Sequence, residues 1–334
     1  MATIVVTNPI FPEVERGLRE LGEVTVNDRG TRWSRHELGE RLRDADAMLA
    51  FMTDSIDRAA IARAPKLKII ACALKGCDNF DVEACTSAGV WLTVVPDLLT
   101  IPTAELAVAL TLGLNRNLLA GDRRVRSGFD GWRAELYGFG LRGARVGIAG
   151  LGCVGLAIAE RLKGFDARLT GFDERRIRPD DLAARGVAQI SFDELIETSE
   201  IIIVALPLSS RTLHLFNGDT LSRMRRGARL VNVGRGSVVD ETAVARSLQD
   251  GHLGGYAADV FELEDWARCD RPREIAPALL ALPDRTLFTP HLGSAVRAAR
   301  LAIEQAAADT IVAVLSGHRP ANAVNQPAPS RQPG

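Results

Sequence analysis

The hexapeptide Gly150-Leu151-Gly152-Cys153-Val154-Gly155 constrains the fold more than any other stretch of this chain. It follows the strand-like run Arg145 to Ala149 and precedes a helical pattern from Leu156 to Leu162. In a strand–turn–helix setting the first glycine permits the tight turn. The second lets a pyrophosphate approach the backbone, and the third lets helix and strand pack closely. The helix N-terminus then offers unpaired N–H groups and a positive dipole end to phosphate. Asp173 ends the next strand, where an acid hydrogen-bonds the adenosine ribose, so NAD is the expected cofactor. Glu174 adds to that preference, whereas Arg175 and Arg176 either clamp a 2′-phosphate or form a solvated loop, so use of NADP at lower efficiency stays open.

The surrounding pattern fits an α/β chain of two domains. Runs from Ile4 to Thr7, Ala47 to Phe51, Leu67 to Ala71 and Val90 to Val94 read as strands, alternating with helices over Val14 to Leu21 and His36 to Arg43. A second series starts at Arg145 and continues through Ala167 to Phe172, Ile201 to Leu206, Arg229 to Val233, Gly255 to Val260 and Thr286 to Thr289. We therefore expect two Rossmann-like doubly wound domains: a flavodoxin-like one over 1–99 plus 298–334, and a dinucleotide-binding one over 100–297, with the active site in the cleft. An apolar helix from Thr103 to Leu119 opens the second domain, and a run from Ser294 to Leu315 returns to the first. The proline-rich tail Gln326 to Gly334 is expected to be mobile.

With 334 residues, 46% of them hydrophobic, each domain can bury its own core. Lysine plus arginine (41) balance aspartate plus glutamate (42), which argues against nucleic acid as a partner. The five cysteines form neither CxxC pairs nor a disulfide framework, and reduced cytoplasmic thiols are the simplest reading. The five histidines are scattered, so no metal site is expected. No signal-peptide pattern precedes the first strand, and runs such as Ile201 to Leu206 are too short to span a membrane.

Three loops after predicted strands carry the chemistry: Val233-Gly-Arg235-Gly-Ser-Val-Val-Asp240, Ala258-Asp259-Val-Phe-Glu-Leu-Glu264, and Thr289-Pro-His291-Leu-Gly-Ser294. Histidine titrates nearest neutral pH, a carboxylate beside it fixes its tautomer, and arginine presents a planar fork to an oxyanion. Order and spacing resemble the three signatures of the D-2-hydroxyacid dehydrogenases. The resemblance implies that Arg235, Glu264 and His291 are catalytic, and that Asp259 lies beside the nicotinamide. It extends the expected cofactor contacts to Lys75, Thr103, Gly150, Gly152, Cys153, Val154, Gly155, Asp173, Leu206, Pro207, Arg235, His291 and Ser294. It also implies a homodimer, with the helix from Thr103 to Leu119 serving either as dimer contact or as interior core.

Within that superfamily, the segments Ala73 to Asp81, Val95 to Glu105, Phe261 to Pro272 and His291 to Arg300 most resemble the phosphite dehydrogenases. By that resemblance, Lys75, Arg235 and Arg300 surround a small dianion, and Met52, Trp132 and Tyr137 complete the wall. The two aromatics are equally compatible with a core or dimer-interface role. The implied reaction is oxidation of phosphite to phosphate with NAD, His291 activating water and Glu264 orienting it. The division of labour between His291 and Arg235 stays open. The alternatives are a 2-hydroxyacid dehydrogenase, of glyoxylate/hydroxypyruvate reductase or D-lactate type, and a non-catalytic NAD-sensing protein.

Overall fold

The structure is a computed structural model that describes residues 1–327, so most of the tail expected to be mobile lies outside the described residues. The chain divides into two compact units: Met1–Leu99 with Trp266–Cys269 and Val296–Gly334, and Thr100–Asp265 with Asp270–Ala295. The sequence reading assigned Trp266–Cys269 and residues 296–297 to the dinucleotide-binding domain, whereas here both pack with the first unit. Trp266 explains part of this, because the Arg32 guanidinium stacks 3.6 Å from its ring and the Ala267 N–H donates to Asn79 Oδ1 at 3.0 Å.

The first unit holds strands β1 (Ala2–Val6), β2 (Gly22–Val26), β3 (Ala47–Ala50), β4 (Ile69–Cys72) and β5 (Trp91–Thr93). They form one parallel sheet in the order β2-β1-β3-β4-β5, the flavodoxin-like arrangement. Alternation decides which residues meet which helices. Ile4, Val6, Leu49 and Ile69 pack on one face with Val14 and Leu18 of helix Pro12–Arg19 and Ile303 and Ile311 of helix Arg297–Leu315. Val5, Met48, Ile70 and Leu92 pack on the other with Leu38, Leu42, Ile61 and Cys85. Each such side chain removed from water contributes roughly 1.5–3 kcal/mol, and a charge at Ile70 would break the layer. Side-chain caps fix where the helices begin: Ser34 with Glu37 in a capping box, then Asp57 and Asp81.

The second unit holds β6 (Arg145–Ala149), β7 (Arg168–Phe172), β8 (Val187–Gln189), β9 (Ile201–Val204), β10 (Arg229–Asn232), β11 (Gly255–Ala258) and β12 (Thr286–Phe288). All seven are parallel, in the order β12-β11-β10-β9-β6-β7-β8. The chain starts in mid-sheet at β6 and runs outward both ways, which makes β6/β9 the topological switch point, where open α/β sheets bind ligands. The expected helix from Thr103 to Leu119 is instead Thr100–Asn115, because Asn117 takes a left-handed φ of 52° and a new helix, Leu118–Arg126, begins. The stretch Asp97–Asn115 is long and apolar enough, by length and composition, to cross a bilayer. Ala104, Ala107, Leu110 and Leu114 nevertheless lie in the core with Val146, Ile148 and Val231, so it serves as a core helix.

Candidate active site

The glycine turn has the shape a pyrophosphate requires. Gly150 has φ 101°, and a β-carbon there would lie 2.7 Å from the Ala205 carbonyl oxygen of the strand across the switch point. At Gly155 a β-carbon would fall 1.8 Å from the Gly150 carbonyl oxygen, so only hydrogen lets helix Cys153–Leu162 sit this close to the turn. At Gly152, by contrast, no described atom beyond its neighbours in the chain lies within 4 Å of that position, which leaves the backbone open to a phosphate. Cys153 and Val154 begin the helix there.

Asp173, after β7, accepts the Leu151 N–H at 3.0 Å and the Arg175 N–H at 2.9 Å. Arg175 folds back on it, with Nε 3.1 Å from Oδ1. Burial works to raise this carboxyl, but the bonds from Arg175 and Leu151 outweigh it and hold the group below the usual aspartate range. Asp173 is therefore an anion that fixes the glycine turn from one side. Leu206 and Pro207 follow β9, with Leu206 buried against Gly150 and Gly234 and Pro207 exposed.

Beyond β11 and β12 the structure joins two of the expected residues directly. His291 Nδ1 lies 2.6 Å from Glu264 Oε2, and Glu264 Oε1 accepts the Phe261 N–H at 2.8 Å. An ionised carboxylate can only accept, so Nδ1 carries the proton and Nε2 is left with its lone pair. Each of the two side chains is 25% exposed, enough for contact with a substrate. His291 is held at φ 56°, a conformation costly for an L residue, and its N–H donates to the Asp259 carbonyl at 2.8 Å.

The restraint on this turn comes from Asp259, which is 1% exposed. Its carboxylate accepts from Thr289 Oγ1 at 2.6 Å, Leu292 N at 2.6 Å and Gly293 N at 2.8 Å. Burial pushes its carboxyl up against the opposing effect of these bonds. Asp259 was expected beside the nicotinamide; its observed bonds bind the histidine loop together. A β-carbon on Gly293 would touch both Asp259 and Thr103, which places buried Thr103 under the same loop, next to buried Ser294.

Arg235 follows β10 in extended backbone and is half-buried. Asn232 braces its loop, donating to the Arg235 carbonyl at 2.9 Å and accepting from Gly234 N–H at 3.0 Å. Arg235, Glu264 and His291 thus follow three neighbouring strands at their carboxyl ends.

In the first unit, Lys75 and Met52 follow β4 and β3, and Arg300 opens the long return helix. Neither cation stands alone: Lys75 Nζ pairs with Asp97, and Arg300 Nη2 lies 3.4 Å from Glu304 Oε1. Arg300 Nη1 also donates to the Ala73 carbonyl at 3.2 Å, and burial lowers its basicity. In the second unit Trp132 and Tyr137 are 77% and 75% exposed on the surface of that unit. Sequence reading missed the buried acids Glu241, Glu262 and Asp265, together with His214, whose Nε2 lies 2.7 Å from Glu262 Oε2. Their one visible signal was that they flank Arg235 and Glu264 in the motifs, or lie on the loop after β9.

A parallel sheet with a dinucleotide cradle at its switch point and a histidine–carboxylate pair on the same edge defines a nicotinamide-dependent oxidoreductase. Residues 108–293 match the family described as D-isomer specific 2-hydroxyacid dehydrogenase, NAD binding domain. The chain is 34% identical, over 97% of its length and 96% of the relative's, to a glyoxylate reductase of Thermococcus onnurineus. It is 35% identical to the glyoxylate reductase of Aeropyrum pernix, over 99% and 98%. Its fold matches the crystal structure of the TT0316 protein from Thermus thermophilus with a TM-score of 0.87 at 33% identity, covering 96% of this chain and 99% of that one. The chain belongs to the D-isomer specific 2-hydroxyacid dehydrogenase family, and its cofactor is NAD. The resemblance to phosphite dehydrogenases is not what these relatives reflect, since those named here are glyoxylate reductases.

Proposed function

We propose that this protein interconverts a short 2-oxoacid and its 2-hydroxyacid, with glyoxylate or hydroxypyruvate as the oxidised substrate. The observation that carries this reading is the 2.6 Å bond between His291 Nδ1 and Glu264. It orients Nε2 as the atom that exchanges a proton with the substrate oxygen. Bound at the glycine cradle, the nicotinamide cofactor supplies or accepts the hydride at the carbon bearing that oxygen. In reduction, protonated His291 gives its Nε2 proton to the oxygen as the alcohol forms; in oxidation the neutral ring takes it back. Glu264 stabilises the charged ring, and Asp259 holds the ring's backbone in place. Arg235 provides the fork for the substrate carboxylate.

Phosphite, first in the sequence reading, has weaker support. The dianion pocket needed Lys75 and Arg300 as surplus cations, yet Asp97 and Glu304 already balance them. A monoanionic acid suits that balance better. A homodimer belongs to the same proposal: Leu118, Val125, Phe129, Trp132 and Tyr137 leave an exposed apolar run that a second copy would cover, and light scattering tests this. Cytoplasmic location is likewise proposed, in keeping with five free thiols.

NADH absorbance decides the substrate. Purified protein should consume NADH with glyoxylate or hydroxypyruvate, and form it slowly from glycerate, glycolate or D-lactate. NADH formation with phosphite and no turnover of any 2-oxoacid would overturn the proposal.

A further inference from the structure

A closed ring of hydrogen bonds joins the loops that carry Arg235 and Glu264. Glu262 and Glu264 belong to one 3-10 turn, Glu262–Glu264. The Glu262 N–H donates to Glu241 Oε1 at 2.7 Å, and the Glu241 N–H donates to Glu262 Oε1 at 3.1 Å, so the two acids exchange backbone bonds. The other Glu262 oxygen meets His214 Nε2 at 2.7 Å. The His214 N–H donates to the Ser237 carbonyl at 2.7 Å, and the Ser237 N–H donates to Asp265 Oδ2 at 2.8 Å, which returns to the residue after Glu264. Glu262, Ser237 and Asp265 are 6%, 0% and 3% exposed, so the bonds of Ser237 to Asp265 and of Glu262 to Glu241 form away from water, where each is stronger, whereas the His214 ring that closes the circuit is 36% exposed.

We propose that His214 is a positioning residue for the His291–Glu264 pair, acting through Glu262 and the Ser237 loop. Glu262 can only accept, so His214 donates from Nε2 and anchors the turn whose third residue orients His291. Without that donor the turn relaxes toward Glu241, and Glu264 leaves the geometry that keeps Nε2 of His291 aimed outward. His214 holds a left-handed φ of 47°, which sets its ring against Glu262 while its N–H reaches Ser237. Burial raises the Glu241 carboxyl to about 7, and repulsion from Glu262 and Glu264 adds to the shift, in keeping with a ring that holds several acids tightly together. This role rests on His291–Glu264 being the proton-handling pair.

The test compares His214→Ala and His214→Gln with the parent protein, by kinetics with NADH and 2-oxoacid, thermal melting, and the His291 ring proton signal in NMR, assigned with His291→Ala. In the alanine variant kcat should fall about tenfold or more, as displaced catalytic groups do. KM for NADH should hold, and the His291 signal should shift while the protein stays folded. Glutamine restores a side-chain donor and should recover most of kcat. Unchanged kcat in the alanine variant would overturn the role. So would a loss that follows melting temperature and is not recovered by glutamine. If the parent protein turns over no acid, the functional reading fails separately, and an unmoved His291 signal in the alanine variant then refutes the positioning role on its own.

Discussion

Gly236→Ala tests how closely the arginine and glutamate loops must approach. A β-carbon at 236 would lie 1.9 Å from the Phe261 carbonyl carbon, 2.1 Å from its oxygen and 2.3 Å from Glu262 N. These are backbone atoms, so no side-chain rotation relieves the contact; one loop must retreat by about 1.5 Å to reach ordinary van der Waals distance. Overpacking of this kind costs about 1–3 kcal/mol, which lowers the melting temperature by roughly 5 °C in a unit of this size. Catalysis should suffer more, since misplacing a reacting group by about 1 Å costs on the order of a hundredfold. The assay is kcat with glyoxylate beside NADH affinity from fluorescence titration, because the glycine cradle lies on other loops and should keep its affinity. A kcat within about twofold of the parent protein's, in a variant whose melting temperature does fall, would refute the claim that this approach sets the catalytic geometry.

Glu264→Gln keeps a hydrogen-bond partner for His291 but removes the charge that stabilises the protonated ring, so kcat should drop about a hundredfold with NADH binding intact; a normal kcat would contradict the pairing. Asp173→Ala removes the acceptor for Leu151 and Arg175, and the Kd for NADH measured by fluorescence should rise about tenfold or more. The same change frees Arg175 for a 2′-phosphate, so the preference over NADPH should narrow; an unchanged Kd ratio would refute that role. Stability should fall between about pH 4 and pH 7, because burial raises Asp54 from 3.8 to about 6 and Glu241 from 4.5 to about 7. The folded state holds these protons more tightly than the unfolded chain, so the stabilisation is complete below the unfolded values and is lost as pH rises through the folded ones. It amounts to about 3 kcal/mol for each group. Asp46, Asp173 and Glu200, whose values are lowered, act in the opposite sense at lower pH. A melting temperature that rises across this interval, or one whose fall Asp54→Asn leaves undiminished, would contradict the assignment.

The dinucleotide turn was legible because its glycines serve local needs: a positive φ at Gly150 and a helix pressed against it at Gly155. The His291–Glu264 pair was legible through motif order, since three loops on adjacent strands must end on the same sheet edge. What local pattern could not carry was which partner each charge selects. Arg300 and Glu304 are four residues apart on a helix, a spacing open to pairing, but the burial that secures the pair comes from the rest of the first unit. Lys75 and Asp97, which opens the 3-10 turn Asp97–Leu99, are 22 residues apart, and only the fold joins them. The same holds for His214, whose partners at 237 and 262 become neighbours through sheet order. Strands β2 and β8 were missed because Gly22–Val26 and Val187–Gln189 are sheet-edge strands with weak apolar signal.

The long return helix makes the order of synthesis matter. One face of the first unit's sheet, with Ile4, Val6, Leu49 and Ile69, is covered by Ile303, Ala307, Ile311 and Val314, which the ribosome adds some two hundred residues after β5. Until that helix emerges, a nascent chain bears a finished sheet with one apolar side covered only by helix Pro12–Arg19, a substrate for chaperones and for aggregation. The second unit contains nearly all of its own core by residue 295 and can complete folding first. Translation that stops between Ala295 and Arg297 would thus leave a well-built nucleotide unit tethered to an unfinished partner.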